Sequence, residues 1–125
     1  MKYNIIKNSI KVPYEDRTDI KAGVTLTQES IDMKIVDSFE SLEVAKAELK
    51  NFVTLIRELS NGLTYYLVEE FYIQDEEFEV YGFSKMEIEL VEKTSYDTIN
   101  IFDNMADAEK AYNNYDGENE VYISF

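Results

Sequence analysis

The sequence contains no cysteine and no histidine, and these two absences remove most of the common catalytic chemistry. Without a thiol there is no disulfide framework, no thiolate nucleophile and no thiolate metal ligand. Without an imidazole, neither a Ser-His nor a Cys-His pair can form, and histidine metal sites are excluded. The chain therefore lacks the parts from which most nucleophilic and zinc-dependent active sites are built.

Glycine and proline are also scarce, with four Gly and one Pro in 125 residues. Linkers and disordered segments are usually rich in these residues, so their scarcity favours a single folded domain over residues 1–125. Four scattered glycines do not supply a phosphate-binding loop. No apolar run reaches the roughly 18 residues of a membrane span, and residues 1–7 are too short and polar for a signal peptide. We therefore expect a soluble, cytoplasmic protein that does not associate with membranes.

What the sequence has in excess is negative charge, and that charge is unevenly placed. The formal net charge is −14. Residues 1–68 hold ten acids and nine bases, whereas residues 69–125 hold sixteen acids and three bases. Such an asymmetry predicts a negative field over the surface of the second half. Solubility is one explanation, and a surface that binds a basic partner is the other. We favour the binding surface because solubility alone does not explain why the acids concentrate in one half.

The spacing of apolar residues predicts two helices. A long helix at about 42–60 is expected, with Ser38 or Ser41 as its N-cap and residues 60–62 as its end. A short helix at about 105–114 is expected after Asn104. The residues whose helical spacing predicts the long helix are Leu42, Ala45, Leu49, Phe52, Val53, Ile56 and Leu59.

The two predicted helix starts resemble each other. The segment 38–42 (SFESL) matches 101–105 (IFDNM) at a constant offset of 63 residues, and the match continues into both helices. A hydrophobic staple before each N-cap would produce the same pattern without common descent. Two related strand–helix–strand units and convergence on a good helix start therefore both remain open.

The remaining apolar patterns predict strands. Residues 85–91 alternate, with Met86, Ile88 and Leu90 inward and the charged residues outward, which is typical of a half-buried antiparallel strand. The fold class expected from these patterns is α+β, with a mainly antiparallel sheet. The other predicted strands lie at the N-terminus and at 24–27, 33–36, 64–73, 78–81, 98–102 and 121–125.

Carboxylates could in principle supply acid–base chemistry or bind a cation. The acids at 75–79 and 116–120 are close in sequence, but neither group matches the calcium-loop pattern. Carboxylate-based glycoside hydrolysis would need a sugar cleft, which a short chain without Trp is not expected to form. We therefore expect no enzyme activity, no catalytic residue, no metal and no cofactor. Direct nucleic-acid binding is not expected either, because Lys and Arg do not cluster.

The densest combination of acids and aromatics lies in residues 65–92. Glu87 and Glu89 are two apart on a predicted strand, so their side chains leave the same face roughly 6.6–6.8 Å apart, an interval that resembles a phosphate backbone. Tyr is favoured at interfaces because it combines rigid area with a polar tip. The predicted partner-binding residues are Glu69, Glu70, Tyr72, Asp75, Glu76, Glu77, Glu79, Tyr81, Glu87 and Glu89.

In its small size, acidity, Tyr content and lack of Cys, the chain resembles phage and mobile-element inhibitors, including anti-CRISPR proteins that act as DNA mimics. This resemblance implies a stoichiometric inhibitor that occupies the nucleic-acid channel of a basic partner, such as a CRISPR effector nuclease, in the host cell cytoplasm. Toxin-neutralising immunity proteins have the same character. A structural or homo-oligomeric module that pairs through a sheet edge, such as a homodimer, is a further alternative.

Overall fold

The computed structural model describes residues 1–26, 28–60 and 64–125. Within these ranges the protein is α+β with mainly antiparallel strands, which confirms the predicted fold class. Two 3-10 helices, Tyr14–Asp19 and Val24–Leu26, follow the first strand. The strands and α-helices are β1 (Tyr3–Pro13), β2 (Ser30–Phe39), α1 (Leu42–Leu49), β3 (Val53–Ser60), β4 (Thr64–Asp75), β5 (Val80–Phe83), β6 (Lys85–Met86), β7 (Ile88–Glu92), β8 (Thr98–Phe102), α2 (Met105–Asn113) and β9 (Val121–Ser124).

The strands form two sheets. The main sheet has the order β2-β1-β4-β3-β6, and β5 pairs with the far end of β4. The second sheet has the order β8-β7-β9. Since β6 is followed directly by β7, the second sheet adjoins the β6 edge of the main sheet, and β2 lies at the opposite edge.

The central strands of the main sheet are covered on both faces. On one face Ile10 and Val12 of β1 pack with Val68 of β4 and with the apolar face of α2. On the other face Ile5 and Ile73 pack against Ala45 of α1. As a result, six consecutive residues of β4, Val68–Ile73, are buried. Side chains at both odd and even positions of this stretch therefore point into the protein.

The predicted long helix at about 42–60 is wrong beyond Leu49. Helix α1 ends there, and residues 53–60 form β3. The β-branched residues of this segment favour a strand, and buried Thr54 and Ile56 show the strand period of two. Val53, Ile56 and Leu59 fit helical spacing, but in β3 Val53 and Ile56 lie on opposite faces of the strand. Of the expected helix end, Asn61 and Gly62 lie outside the described residues.

The internal similarity covers a strand, an N-cap and a helix in both copies. The Ser41 hydroxyl accepts the Val44 N–H at 3.4 Å, and the Asn104 side chain accepts the Asp107 N–H at 2.8 Å. Ala45 and its counterpart Ala108 are both fully buried. After the helices the copies differ: β3 lies beyond β4 in the main sheet, whereas β9 pairs antiparallel with β7. The similarity therefore does not extend to a complete repeated unit.

Most other predicted strands are present with shifted bounds. Met86, Ile88 and Leu90 point into the core as predicted, and the short second helix is confirmed. The single antiparallel strand expected at 85–91 is wrong, because this segment is divided into β6, which pairs parallel with β3, and β7, which pairs antiparallel in the second sheet. The strand expected at 33–36 is much longer as β2, and the one expected at 78–81 begins later as β5. The predicted strand at 24–27 is wrong for residues 24–26, which form a 3-10 helix, and Thr27 lies outside the described residues. No helix in the described ranges is long and apolar enough to cross a membrane.

Candidate functional site

The structure divides the ten predicted partner-binding residues into buried and exposed groups. Glu69, Glu70, Tyr72 and Asp75 are only 6%, 0%, 3% and 4% exposed. The expectation that these four side chains lie on a surface is wrong. For Glu69, Glu70 and Tyr72 the reason is that both faces of Val68–Ile73 are covered. Asp75 lies beyond this stretch and is enclosed by the turn that follows it.

Glu69 is neutralised inside the protein by two cations from neighbouring strands. Its carboxylate lies 2.7 Å from Lys7 Nζ on β1 and 3.4 Å from Arg57 Nη2 on β3. The three side chains thus link β1, β4 and β3 across one face of the main sheet. Glu69 is a structural ion-pair centre, and reversing its charge would place three cations together.

Glu70 and Tyr72 point to the opposite face of β4. The fully buried Glu70 carboxylate accepts the Gly23 N–H and so ties the 3-10 segment to the sheet. The Tyr72 hydroxyl donates to Met33 Sδ at 3.6 Å. Burial raises the pKa of this hydroxyl, and the nearby Glu70 charge raises it further. Both residues hold the fold together and are not available to a partner.

Asp75 organises the turn between β4 and β5, which we call the acidic turn (residues 75–79). Its Oδ1 accepts the N–H groups of Glu77 at 2.8 Å and Glu79 at 3.0 Å, and its Oδ2 accepts the Tyr81 hydroxyl at 2.8 Å. The backbone adds a bond from Asp75 N–H to the Glu79 carbonyl at 3.0 Å and one from Phe78 N–H to the Asp75 carbonyl at 3.1 Å. These five bonds fix the shape of the turn.

The ionisation states of Asp75 and Tyr81 match this geometry. Burial acts to raise the pKa of the Asp75 carboxyl, but the hydrogen bonds from Tyr81, Glu79 and Glu77 together bring the pKa below its ordinary value. The same bond to Asp75 is the main cause that raises the pKa of the Tyr81 hydroxyl. At neutral pH Asp75 is therefore the charged acceptor and Tyr81 the protonated donor.

The acidic turn displays three exposed carboxylates around one exposed ring. Glu76, Glu77 and Glu79 are exposed, and the Phe78 side chain between them is 79% exposed. Phe78 has a φ of +66°, a left-handed conformation that costs a bulky residue roughly 1–2 kcal/mol. Residues in strained backbone conformations cluster at functional sites, so Phe78 is a candidate contact residue.

Phe78 is the site residue that sequence reasoning missed. The alternation of Phe78 with Val80 predicted a return strand and so placed the ring on a sheet. The sequence does predict a turn at 74–77, because an Asp side chain commonly accepts the N–H two residues later. The turn extends past Phe78 because Asp75 also accepts the N–H of Glu79.

Glu87 and Glu89 lie apart from the acidic turn, Glu87 between β6 and β7 and Glu89 within β7 of the second sheet. Glu87 is exposed but pairs with Lys85 Nζ at 3.0 Å. Glu89 is partly buried and accepts the Thr98 hydroxyl at 3.4 Å. Both line a groove of about 410 Å³ against β3, close to Arg57. The expected row of carboxylates is thus already engaged within the protein.

The second sheet and α2 carry further exposed acids, and one more strained aromatic. Tyr96, between β7 and β8, is 74% exposed with a φ of +57°, beside the exposed Asp97. Tyr96 and Phe78 are the two positive-φ residues other than glycine in the described chain. The other exposed acids of this region are Asp103, Asp107, Asp116, Glu118 and Glu120.

The chemistry available at these surfaces is electrostatic. In the part of the chain that the structure describes, no three acids are grouped closely enough to hold a metal ion. A comparison with known proteins finds no matching family model, no similar curated protein and no similar solved structure. The acidic turn is the candidate functional site on its geometry alone.

Proposed function

We propose that this protein is a non-catalytic inhibitor that binds a basic, nucleic-acid-binding surface of a partner enzyme, such as a CRISPR effector nuclease, in the cytoplasm. The observation that carries the proposal is the exposed Phe78 ring held among three exposed carboxylates at the tip of the acidic turn. Glu76, Glu77 and Glu79 supply the charge and Phe78 supplies the anchor.

The acidic turn offers the two chemistries that a single-stranded nucleic acid offers. Channels for nucleic acid combine Lys and Arg, which follow the phosphates, with flat surfaces on which bases stack. Carboxylates replace the phosphates, and the Phe78 ring replaces a base or lies against an Arg guanidinium. Charge complementarity of this kind mainly accelerates association and makes it dependent on salt.

Preorganisation of the turn supports the same proposal. The hydrogen bonds of Asp75 hold the turn in one shape before any partner arrives. Less conformational entropy is then lost on binding, and a larger share of the contact energy appears as affinity. Asp75 and Tyr81 thus act as positioning residues beneath the contact surface.

Affinity capture from a host lysate, followed by mass spectrometry, tests the proposal. The wild-type chain, Phe78→Ala and the double variant Glu76→Lys/Glu77→Lys serve as baits at low and high salt. We expect a basic nucleic-acid-binding protein on the wild type at low salt, with at least a tenfold loss for both variants. The double variant Asp116→Lys/Glu118→Lys, which makes the same charge change elsewhere, should retain the partner. Equal loss with both double variants would show that only net charge matters.

A competition assay with the purified partner tests the inhibitory step. Increasing amounts of the wild-type chain should displace labelled nucleic acid until about one chain is bound per channel. If the partner binds this protein and its nucleic acid at the same time without loss of affinity, then nucleic-acid mimicry is the wrong mechanism.

A further inference from the structure

The outer edge of β2 pairs with no other strand among the residues that the structure describes. This ten-residue strand has nearly all of its side chains exposed on both faces. Ile31, Met33 and Ile35 are 52%, 54% and 59% exposed. A long edge strand with exposed apolar residues is a template for pairing with another strand.

Within β2, residues 31–35 are self-complementary about Met33. Read outward from Met33, Asp32 on one side corresponds to Lys34 on the other, and Ile31 corresponds to Ile35. In an antiparallel pair of two such strands centred on Met33, each Asp32 faces a Lys34 and each Ile31 faces an Ile35. Opposite charges and apolar pairs at facing positions stabilise antiparallel strands.

We propose that β2 pairs antiparallel with β2 of a second copy of this chain, with the two-fold axis at Met33. The pairing joins two main sheets into one continuous sheet and covers both free edges. Such an interface is isologous, because each copy contributes the same patch. The proposal does not depend on the acidic turn, which connects β4 and β5 and is not part of β2.

Two charged residues of β2, Asp32 and Lys34, make no ion pair within the described chain and can therefore pair with a second copy. On β1 the residue facing Lys34 is Lys7, a like charge. The Asp32 of a second copy supplies the acid that Lys34 lacks.

The same charges select one register. Moving the axis by one residue pair toward Lys34 places the two Lys34 side chains opposite each other. Moving it the other way places the two Asp32 side chains opposite each other. Like charges at facing positions are destabilising, so the arrangement centred on Met33 is the favoured one.

Repulsion between acidic residues is limited at this contact. β2 belongs to the half of the chain that is nearly neutral, since residues 1–68 hold ten acids and nine bases. Tyr3 faces both Phe39 and Asp75, so the acidic turn adjoins the Phe39 end of β2, and in an antiparallel pair these ends of the two copies lie at opposite ends of the contact. Salt further reduces repulsion between the copies, because the Debye length at physiological ionic strength is about 8 Å.

Sedimentation equilibrium of the full chain over a wide concentration range tests the proposal. We expect the wild type to shift from 14.6 kDa to twice that mass as concentration rises. Asp32→Lys alone and Lys34→Asp alone should each weaken the dimer at least tenfold, since each creates two like-charge pairs. A one-to-one mixture of the two variants should recover a dimer, because their charges are again complementary.

Matched controls separate local from net charge. Asp116→Lys and Lys2→Asp make the same charge changes at exposed positions outside β2, and should leave the dimer unchanged. A wild type that stays monomeric at all concentrations overturns the proposal. A dimer that neither β2 variant weakens, or a mixture that fails to recover it, overturns the β2 register.

Disulfide trapping gives a second readout, because the wild type has no cysteine. Facing residues of antiparallel strands have Cα atoms about 4.5–5.5 Å apart, within the range for a disulfide. Met33→Cys should therefore form a covalent dimer quickly under mild oxidation. Val36→Cys should not, because its two copies would lie about 20 Å apart along the strands. Equal rates for both variants would contradict the axis at Met33.

Discussion

The Tyr81 hydroxyl donates a 2.8 Å hydrogen bond to Oδ2 of Asp75, across the turn between β4 and β5 that carries three exposed carboxylates. Through this bond the buried Asp75 helps to hold the turn that carries the exposed Glu76, Glu77 and Glu79. In the acidic turn Asp75 therefore has a structural role, whereas Glu76 and Glu77 expose their carboxylates to solvent. Glu79 is also exposed, and its carboxylate accepts the Tyr81 hydroxyl at 3.3 Å.

The pKa of Asp75 predicts how the stability of the turn depends on pH. Because the folded-state pKa is lowered, the carboxylate stabilises the fold above the ordinary Asp pKa of about 3.9. That contribution is lost as pH falls through the lowered folded-state value. Asp75→Asn should therefore have a lower urea midpoint than the wild type at pH 7, and the gap should close toward pH 2. A gap that is independent of pH would contradict this role.

Breaking the ion-pair centre at Glu69 should destabilise the main sheet. Glu69→Ala leaves Lys7 and Arg57 without their shared acid. Because both cations are partly exposed, we expect a loss of about 1–2 kcal/mol in the free energy of unfolding, less than for a fully buried pair. Urea unfolding at pH 7 measures this loss. Glu87→Gln, which breaks the exposed pair with Lys85, should cost less than about 0.5 kcal/mol.

Charge reversal should lower stability strongly at Glu70 and hardly at all at Glu76. Glu70→Lys places an ammonium group in a fully buried position next to the Gly23 N–H, and we expect a loss of about 3–5 kcal/mol or failure to fold. Glu76→Lys changes an exposed side chain, and should alter stability by no more than about 0.5 kcal/mol. Circular dichroism with thermal unfolding compares the two. A well-folded Glu70→Lys would contradict the burial of this side chain.

Relieving the backbone strain at Phe78 should stabilise the protein and weaken its contact surface. Asn tolerates a positive φ far better than Phe does, so Phe78→Asn should raise the free energy of unfolding by about 0.5–1 kcal/mol. The same change removes the proposed anchor, so partner capture should fall. Thermal unfolding and affinity capture on one preparation measure both effects. A destabilised Phe78→Asn would mean that the ring packs against the protein.

Several features could be predicted from the sequence because they depend on local pattern. The Asn104 cap and helix α2 follow from residues adjacent in the chain, and so does the alternation of Met86, Ile88 and Leu90. The error at 42–60 is also instructive. Val53 and Ile56 suit either a helical stripe or a strand, and the pairing of this segment with β4 decided in favour of the strand.

The α+β class, the lack of thiol and imidazole chemistry, and the concentration of acids after residue 68 follow from the amino-acid sequence alone, because they depend on composition and on local periodicity. Which acids are exposed depends instead on how the strands and helices pack. The neighbouring Glu69 and Glu70 point to opposite faces of β4, and both are buried because layers cover both faces. The tertiary structure also placed Phe78 in solvent and left β2 at a free edge, since burial depends on which elements pack together across the fold.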